Sequence, residues 1–392
     1  MKQRMIDRIQ ELHEEWFELA AFIGSHPELG HEEWQAAARL TSTLARHGFI
    51  VETPVLDLPT AFIATYKAAK PGPTIAFLCE YDALPDLGHA CGHHLIATMG
   101  VAAAVGLLAT IEETGGTIRV YGTPAEETKG AKVTMAEAGL FDDVDAALMA
   151  HPYYAYEKSG SSLAMDAIQF EFFGKAAHAA ASPHDGINAL DAVLLLFQSI
   201  ALLRQQVRSD ARLHGIITEG GKAPNIIPDY AAAQFYIRAA DRPYTNELVQ
   251  RVLRCAEGAA LATGCTMKWS NYEYSYDELA TNEPLSEAFT QNLIALGVAP
   301  SAIQCGNDHG SLDLGNVSVH CPAIHPFIQV VDEPYMLHTT QFRDAAMLPR
   351  AFEGMLLGAQ ALAATAYDVV ATPELLARVR TTFHAYKASQ SV

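Results

Sequence analysis

The chain has 392 residues, half of them hydrophobic and 18% charged, which excludes a disordered segment and fits a folded globular protein. That length is too great for one ordinary core, so two domains are expected. A formal net charge of −19 repels phosphate backbones and argues against nucleic-acid partners, and six cysteines are too few for a disulfide framework in a chain of this size.

The opening residues, Met1-Lys-Gln-Arg-Met-Ile-Asp-Arg, are charged and lack the apolar core of a secretory signal. Together with the cysteine usage this predicts a reduced, cytoplasmic setting. Residues 6–23 place apolar side chains at helical spacing, and a second helix over 32–46 is stopped by Gly48. Strands are expected at 50–55 and 61–66. Three short apolar runs follow, at 74–78, 117–121 and 146–150, each reading as a buried strand and alternating with helices. The longest uncharged run, 95–111, falls short of the roughly 20 residues of a membrane span and reads as a helix buried beneath the strand ends. No membrane partner is expected. Strand–helix alternation predicts an α/β fold with a mostly parallel sheet covered by helices.

After residue 165 the pattern changes to strand (167–173), helix (186–208), strand (213–218), strand (231–239), helix (246–263) and strand (265–272). That order is the split βαβ arrangement of a smaller α+β domain. The first domain then resumes near Pro284, with a strand around 323–330 and long helices from 343 onward. The expected division is therefore 1–166 and 283–392 for one domain, with 167–282 inserted between its halves.

The chemistry lies just beyond the three apolar runs. Cys79-Glu-Tyr-Asp-Ala-Leu-Pro-Asp-Leu-Gly-His-Ala-Cys-Gly-His-His94 follows the first, Thr123-Pro-Ala-Glu-Glu127 the second, and Met149-Ala-His151 ends the third. Ligands of open α/β sheets gather outside the carboxyl ends of strands, so Asp82, Cys91, His93, Glu126, Glu127 and His151 converge on one crevice. Thiolate and imidazole are good ligands for zinc and its neighbours, and Gly92 permits the sharp turn that lets Cys91 and His93 reach one ion. Adjacent carboxylates repel in a dry pocket unless a cation neutralises one of them. One of the Glu126–Glu127 pair then binds metal while the other serves as general base. Asp82 is placed to orient a ligand histidine. A closing ligand must come from the C-terminal half, where His309, His320, His325, His338 and His384 are all candidates.

These residues also carry a resemblance. Glu80-Tyr-Asp-Ala-Leu-Pro, His89-Ala-Cys-Gly-His, Gly122-Thr-Pro-Ala-Glu-Glu, Gly174-Lys-Ala-Ala-His-Ala, Pro224-Asn-Ile-Ile-Pro and Gly310-Ser-Leu-Asp-Leu-Gly-Asn-Val-Ser occur in order along nearly the whole chain. The sequence resembles the aminoacylase/carboxypeptidase-type metallopeptidase superfamily, in the amidohydrolase branch of aminobenzoyl-glutamate hydrolases and β-alanyl-lysine dipeptidase-like proteins. The resemblance implies a centre of two divalent ions; the thiolate favours zinc, while the carboxylate and imidazoles also suit manganese, cobalt or nickel. Cys91 would bridge the two ions, with His93, Glu127, His151 and His338 as further ligands, Glu126 as general base and Asp82 supporting a ligand histidine. It also implies that the inserted domain is a lid and dimerisation domain of a homodimer. His178 would reach the other subunit's site to stabilise an oxyanion, Asn225 and Arg238 would hold the substrate's carboxylate, and His325 would line the pocket. His94 departs from the Asp or Asn usual after that Gly-His pair.

The activity so implied is hydrolysis of a small N-acyl amino acid or dipeptide by metal-activated water. The competing expectation is a non-catalytic member that binds a metabolite or partner in the same cleft. It would be marked by loss of the base or a ligand, and none is missing.

Overall fold

The strand Thr74–Cys79 pairs in parallel with Thr117–Gly122 on one side and Ala146–Leu148 on the other, so the three site-bearing loops all leave from the same, carboxyl ends of the strands. This computed structural model describes residues 1–306 and 310–390. Ala323–Ile324 adds a further parallel strand beside Ala146–Leu148. At the opposite edge Phe62–Lys67 and Ile50–Glu52 run antiparallel, making a mixed six-stranded sheet. Ile50–Glu52 and Phe62–Lys67 must be antiparallel to each other because residues 53–61 are too few for a parallel crossover, which takes about a dozen residues or more.

The uncharged Ala- and Gly-rich run forms the long helix His93–Thr114, buried along almost its whole length among the sheet and the helices Lys2–Glu11 and Pro349–Ala371. His93 and His94 are its first two residues, so the core helix itself carries a site residue. The helix expected over 6–23 is broken at Leu12 into Lys2–Glu11 and His13–Ser25. Trp16 Nε1 donates to the Ile9 carbonyl at 3.0 Å, occupying the acceptor that a continuous helix would offer to His13 N–H.

The strand expected over 323–330 likewise divides. Ala323–Ile324 stays in the main sheet, whereas Phe327–Gln329 pairs with His151–Tyr153 in a separate four-stranded sheet. Met149-Ala150 makes the same step on the partner strand. His151 and His325 therefore sit where both strands change sheets.

The chain separates into two compact units: one holds Met1–Ser161 and resumes at Leu279, the other is Ser162–Glu278 joined by Gly310–Leu312. The second unit follows the expected strand–helix–strand–strand–helix–strand order. Its four strands are antiparallel in the spatial order Thr266–Asn271, Ala164–Phe173, Tyr230–Ala239, Arg212–Glu219. Ile168, Phe170, Phe172, Phe235 and Ile237 pack with Leu196, Leu248 and Val252 of the helices Ala189–Leu203 and Arg242–Thr263, so both helices cover one face. The first begins later than expected because Asn188 Oδ1 accepts from Leu190 N–H at 3.0 Å and caps it.

Candidate metal centre

Gly92 decides how the first loop delivers its ligands. Its backbone is left-handed, with φ +83°, and a Cβ there would stand 2.6 Å from Pro152 Cγ. The turn brings Cys91 beside His151, with Sγ 3.4 Å from Nε2, while His93 enters from the start of its helix. Cys91, His93 and His151 form one group whose ligand atoms all lie within 4.8 Å of one another; Cys91, Glu127 and His338 form a second. Cys91 is common to both.

The ring orientations are fixed from behind. His93 Nδ1 lies 3.0 Å from both the Asp82 carbonyl and Asp82 Oδ1. A carbonyl only accepts, so Nδ1 carries a hydrogen and Nε2 is the nitrogen whose lone pair a metal would take in place of a proton. That Nε2 is buried with no hydrogen-bond partner, 3.5 Å from Glu80 Oε2 and 3.9 Å from Glu127 Oε1. These separations are too long for hydrogen bonds and suit an ion held at about 2.0–2.2 Å from nitrogen and oxygen donors. His151 Nδ1 donates in the same way to the Pro152 carbonyl at 2.8 Å, leaving Nε2 toward Cys91. The other Asp82 oxygen accepts from Glu127 N–H at 3.0 Å, so one buried carboxylate aligns two members of the cluster. A thiol, imidazoles and carboxylates in two such groups fit a pair of divalent ions.

His338 arrives on a loop from the C-terminal half, its side chain half-exposed, with Nε2 3.1 Å from Glu127 Oε1. Burial raises the Glu127 pKa, but the His338 hydrogen bond and the charges of His93 and His338 more than offset it and bring it below the usual carboxylate range. Glu126 goes the other way. Burial and the Glu80, Glu127 and Asp313 carboxylates push its pKa well up, with His93 opposing. Glu126 belongs to neither Cys91 group, yet its carboxylate comes within 4.8 Å of ligand atoms on His93 and Glu127. Two adjacent glutamates thus differ sharply in proton affinity.

Of the five candidate C-terminal histidines, His338 enters a metal-sized group. His325 stacks near His151 with ring centroids 5.4 Å apart, and its backbone N–H donates to Ser159 Oγ. His320 pairs with Asp142 at 2.9 Å, and His384 is exposed beside Phe383. His309 lies outside the described residues. His94 is buried with Nε2 donating to the Ala346 carbonyl at 3.2 Å, and burial lowers its pKa to about 4. Among the described residues it joins none of the metal-sized groups.

The second unit holds the other three expected residues. His178 is exposed, and its Nδ1 accepts from the backbone N–H groups of Ala180 and Ala181, so the neutral ring carries its hydrogen on Nε2. Ala179 N–H donates to the Asn225 carbonyl, which brings the His178 and Asn225 segments side by side. Arg238 is near the far end of the strand Tyr230–Ala239, its guanidinium 5.1 Å from the Tyr236 ring centroid. Roughly eight strand residues separate it from Tyr230, a distance on the order of 27 Å.

Sequence reasoning missed a buried charge cluster behind the ligands. Lys132 Nζ donates to Glu80 Oε1 and Asp313 Oδ1, both at 2.7 Å, and all three side chains are buried. Burial pushes the Asp313 pKa up to about 6 even though Lys132 opposes it. The available signal was indirect: Glu80 and Asp313 stand inside the Glu80-Tyr-Asp and Gly310-Ser-Leu-Asp motifs, and acids that cannot reach water need a cation.

A profile of the peptidase dimerisation domain matches residues 165–261. The mouse protein named Xaa-Arg dipeptidase is 41% identical, over 98% of this chain and 92% of its own length. The chain belongs to the M20 family of metallopeptidases. A p-aminobenzoyl-glutamate hydrolase component from Escherichia coli K12 is 33% identical over 94% of this chain and 92% of its own length. A crystal structure of a Bacillus subtilis dinuclear metal-binding peptidase of the M20 family shares the fold, with a TM-score of 0.69 at 20% identity. That match covers 93% of this chain and 99% of the other. This M20 chain is a metal-dependent amide hydrolase, with a parallel-rich α/β unit and an antiparallel unit that fits the family's dimerisation domain.

Proposed function

We propose that the protein cleaves the amide bond of a dipeptide or small N-acyl amino acid, with two ions held by Cys91, His93, Glu127, His151 and His338. The observation that carries this reading is the pair of three-residue groups sharing Cys91, with a carboxylate of raised proton affinity beside them. Divalent ions bound there would polarise the amide carbonyl and make water acidic enough to attack near neutral pH. Zinc is the first choice because of the thiolate, with manganese, cobalt or nickel compatible with the remaining donors.

Glu126 takes the proton of the attacking water and passes it to the leaving nitrogen. Asp82 holds His93 in its lone-pair-forward tautomer. His178 offers Nε2–H to the developing oxyanion. Arg238 and Asn225 grip the substrate's carboxylate, Arg238 in a two-pronged fashion, and His325 lines the pocket beside His151. His178 and Arg238 lie at opposite ends of one sheet, too far apart to meet a single small ligand. Their joint action therefore supports a homodimer in which one copy supplies His178 and Asn225 and the other Arg238. The free cysteines agree with a reduced, cytoplasmic setting.

The 41% identity to Xaa-Arg dipeptidase ranks dipeptides ending in arginine first among substrates. The test is a panel assay of cobalt- or zinc-loaded protein on Xaa-Arg and Xaa-Lys dipeptides, aminobenzoyl-glutamate and N-acyl amino acids. Turnover of at least one class with a free terminal carboxylate is expected, and its loss when that carboxylate is amidated. Absence of turnover on every class by fully loaded protein would remove the proposal.

A further inference from the structure

Residues 28–33, which precede the helix Trp34–Arg46, touch the loop bearing Glu126 and Glu127 at three points. Glu33 Oε1 accepts from Ala125 N–H at 2.9 Å. His31 Nε2 donates to the Lys129 carbonyl at 2.9 Å. Gly30 packs so tightly that a Cβ would stand 2.8 Å from both Ala125 Cβ and Thr128 Oγ1. The same segment holds the Asp82 loop, since Ala83 N–H donates to the Glu28 carbonyl at 2.8 Å.

Glu33 is in the N-cap position of its helix but does not cap it. Glu28 does so instead, accepting from the N–H groups of Gln35 and Ala36. Glu33 is wholly buried and turned away, its second oxygen accepting from Thr60 Oγ1 at 2.8 Å, while Tyr81 Oη donates to the Thr60 carbonyl. Burying a carboxylate is costly, and here it serves a backbone N–H outside its own helix. That N–H belongs to Ala125, whose φ of +64° is a left-handed conformation that a non-glycine residue holds only when its surroundings enforce it.

We infer that Glu33 is a positioning residue: through Ala125 N–H it locks the strained turn that aims Glu126 and Glu127 into the metal centre. This rests on the proposed two-ion reading of that centre. Glu33→Gln keeps an acceptor for Ala125 and a partner for Thr60, whereas Glu33→Leu keeps bulk and removes both. Cobalt affinity, by chelator competition and the thiolate–cobalt absorption band, is measured beside kcat and KM. Glu33→Leu should lose roughly 10–100-fold in cobalt affinity and in kcat, as supporting partners of metal sites do, with KM nearly unchanged and Glu33→Gln close to wild type. If Glu33→Leu does not fold, Thr60→Val removes the hydroxyl that orients Glu33 and should weaken cobalt retention in the same direction. A folded Glu33→Leu with wild-type affinity and kcat overturns the inference while leaving the metal centre intact. Wild-type protein that binds no cobalt would sink the centre itself, and this inference with it.

Discussion

Glu126→Gln is expected to lower kcat by roughly 10²–10⁴-fold while the protein keeps its ions and its KM. The expectation comes from the contrast between neighbours. Glu127 is pulled toward ionisation by His338 and His93, as a ligand should be, and it shares a metal-sized group with Cys91. Glu126 is pushed toward protonation by burial and by Glu80, Glu127 and Asp313. A group that must accept a proton and release it again works best with its pKa near the operating pH. Two bound cations would draw the raised value back toward that range, so the acids behind Glu126 and the ions before it act as opposing weights. Glu127→Gln is the control: it should release metal, whereas Glu126→Gln should not. Steady-state kinetics with metal content per chain separate the two. A Glu126→Gln enzyme within about tenfold of wild type would remove the general-base role.

Lys132→Met should destabilise the metal-free protein by about 3–5 kcal/mol, because it leaves Glu80 and Asp313 buried without their cation. Methionine preserves most of the volume, so lost packing contributes little. The pH dependence gives the charge explanation its own signature. Asp313 already has a folded pKa of about 6, above its ordinary value of 3.8, and removal of Lys132 withdraws a lowering influence. A carboxyl with a raised folded pKa favours the native state when protonated, and that contribution is lost as pH rises through the folded value. The deficit of the variant should therefore be largest above pH 7 and shrink toward pH 5. Urea unfolding at several pH values measures this, with an unchanged slope certifying that stability moved. A deficit that does not vary with pH would point to packing instead of charge.

Much of the architecture was legible because apolar runs with polar ends are how a chain writes a buried parallel strand. The runs at 74–78, 117–121 and 146–150 each extend or shorten by at most two residues in the structure, and the inserted unit keeps its element order. What was illegible depended on contacts made across the chain. The break at Leu12 comes from the Trp16 indole capturing a carbonyl, and no glycine or proline announces it. Cys91, His93, Glu127 and His151 stood out because ligand-type residues follow strands at short spacing. His338 could be named only through resemblance, since five histidines compete in the C-terminal half. Lys132 and Glu33 escaped notice for a related reason. A buried lysine and a helix-start glutamate look like ordinary surface residues until their partners are known.

The sulfur common to both groups links the filling of one position to the filling of the other. Burial holds the Cys91 proton tightly, and any ion that uses this ligand must first displace it. If Cys91 serves two ions as proposed, its thiol would already have lost its proton to the first, and a second would find an anion in place that screens the two charges from one another. Loading should thus run toward all or nothing, with singly filled molecules scarce. Scarcity of metal would then thin the population of working molecules and leave the competence of each survivor unchanged.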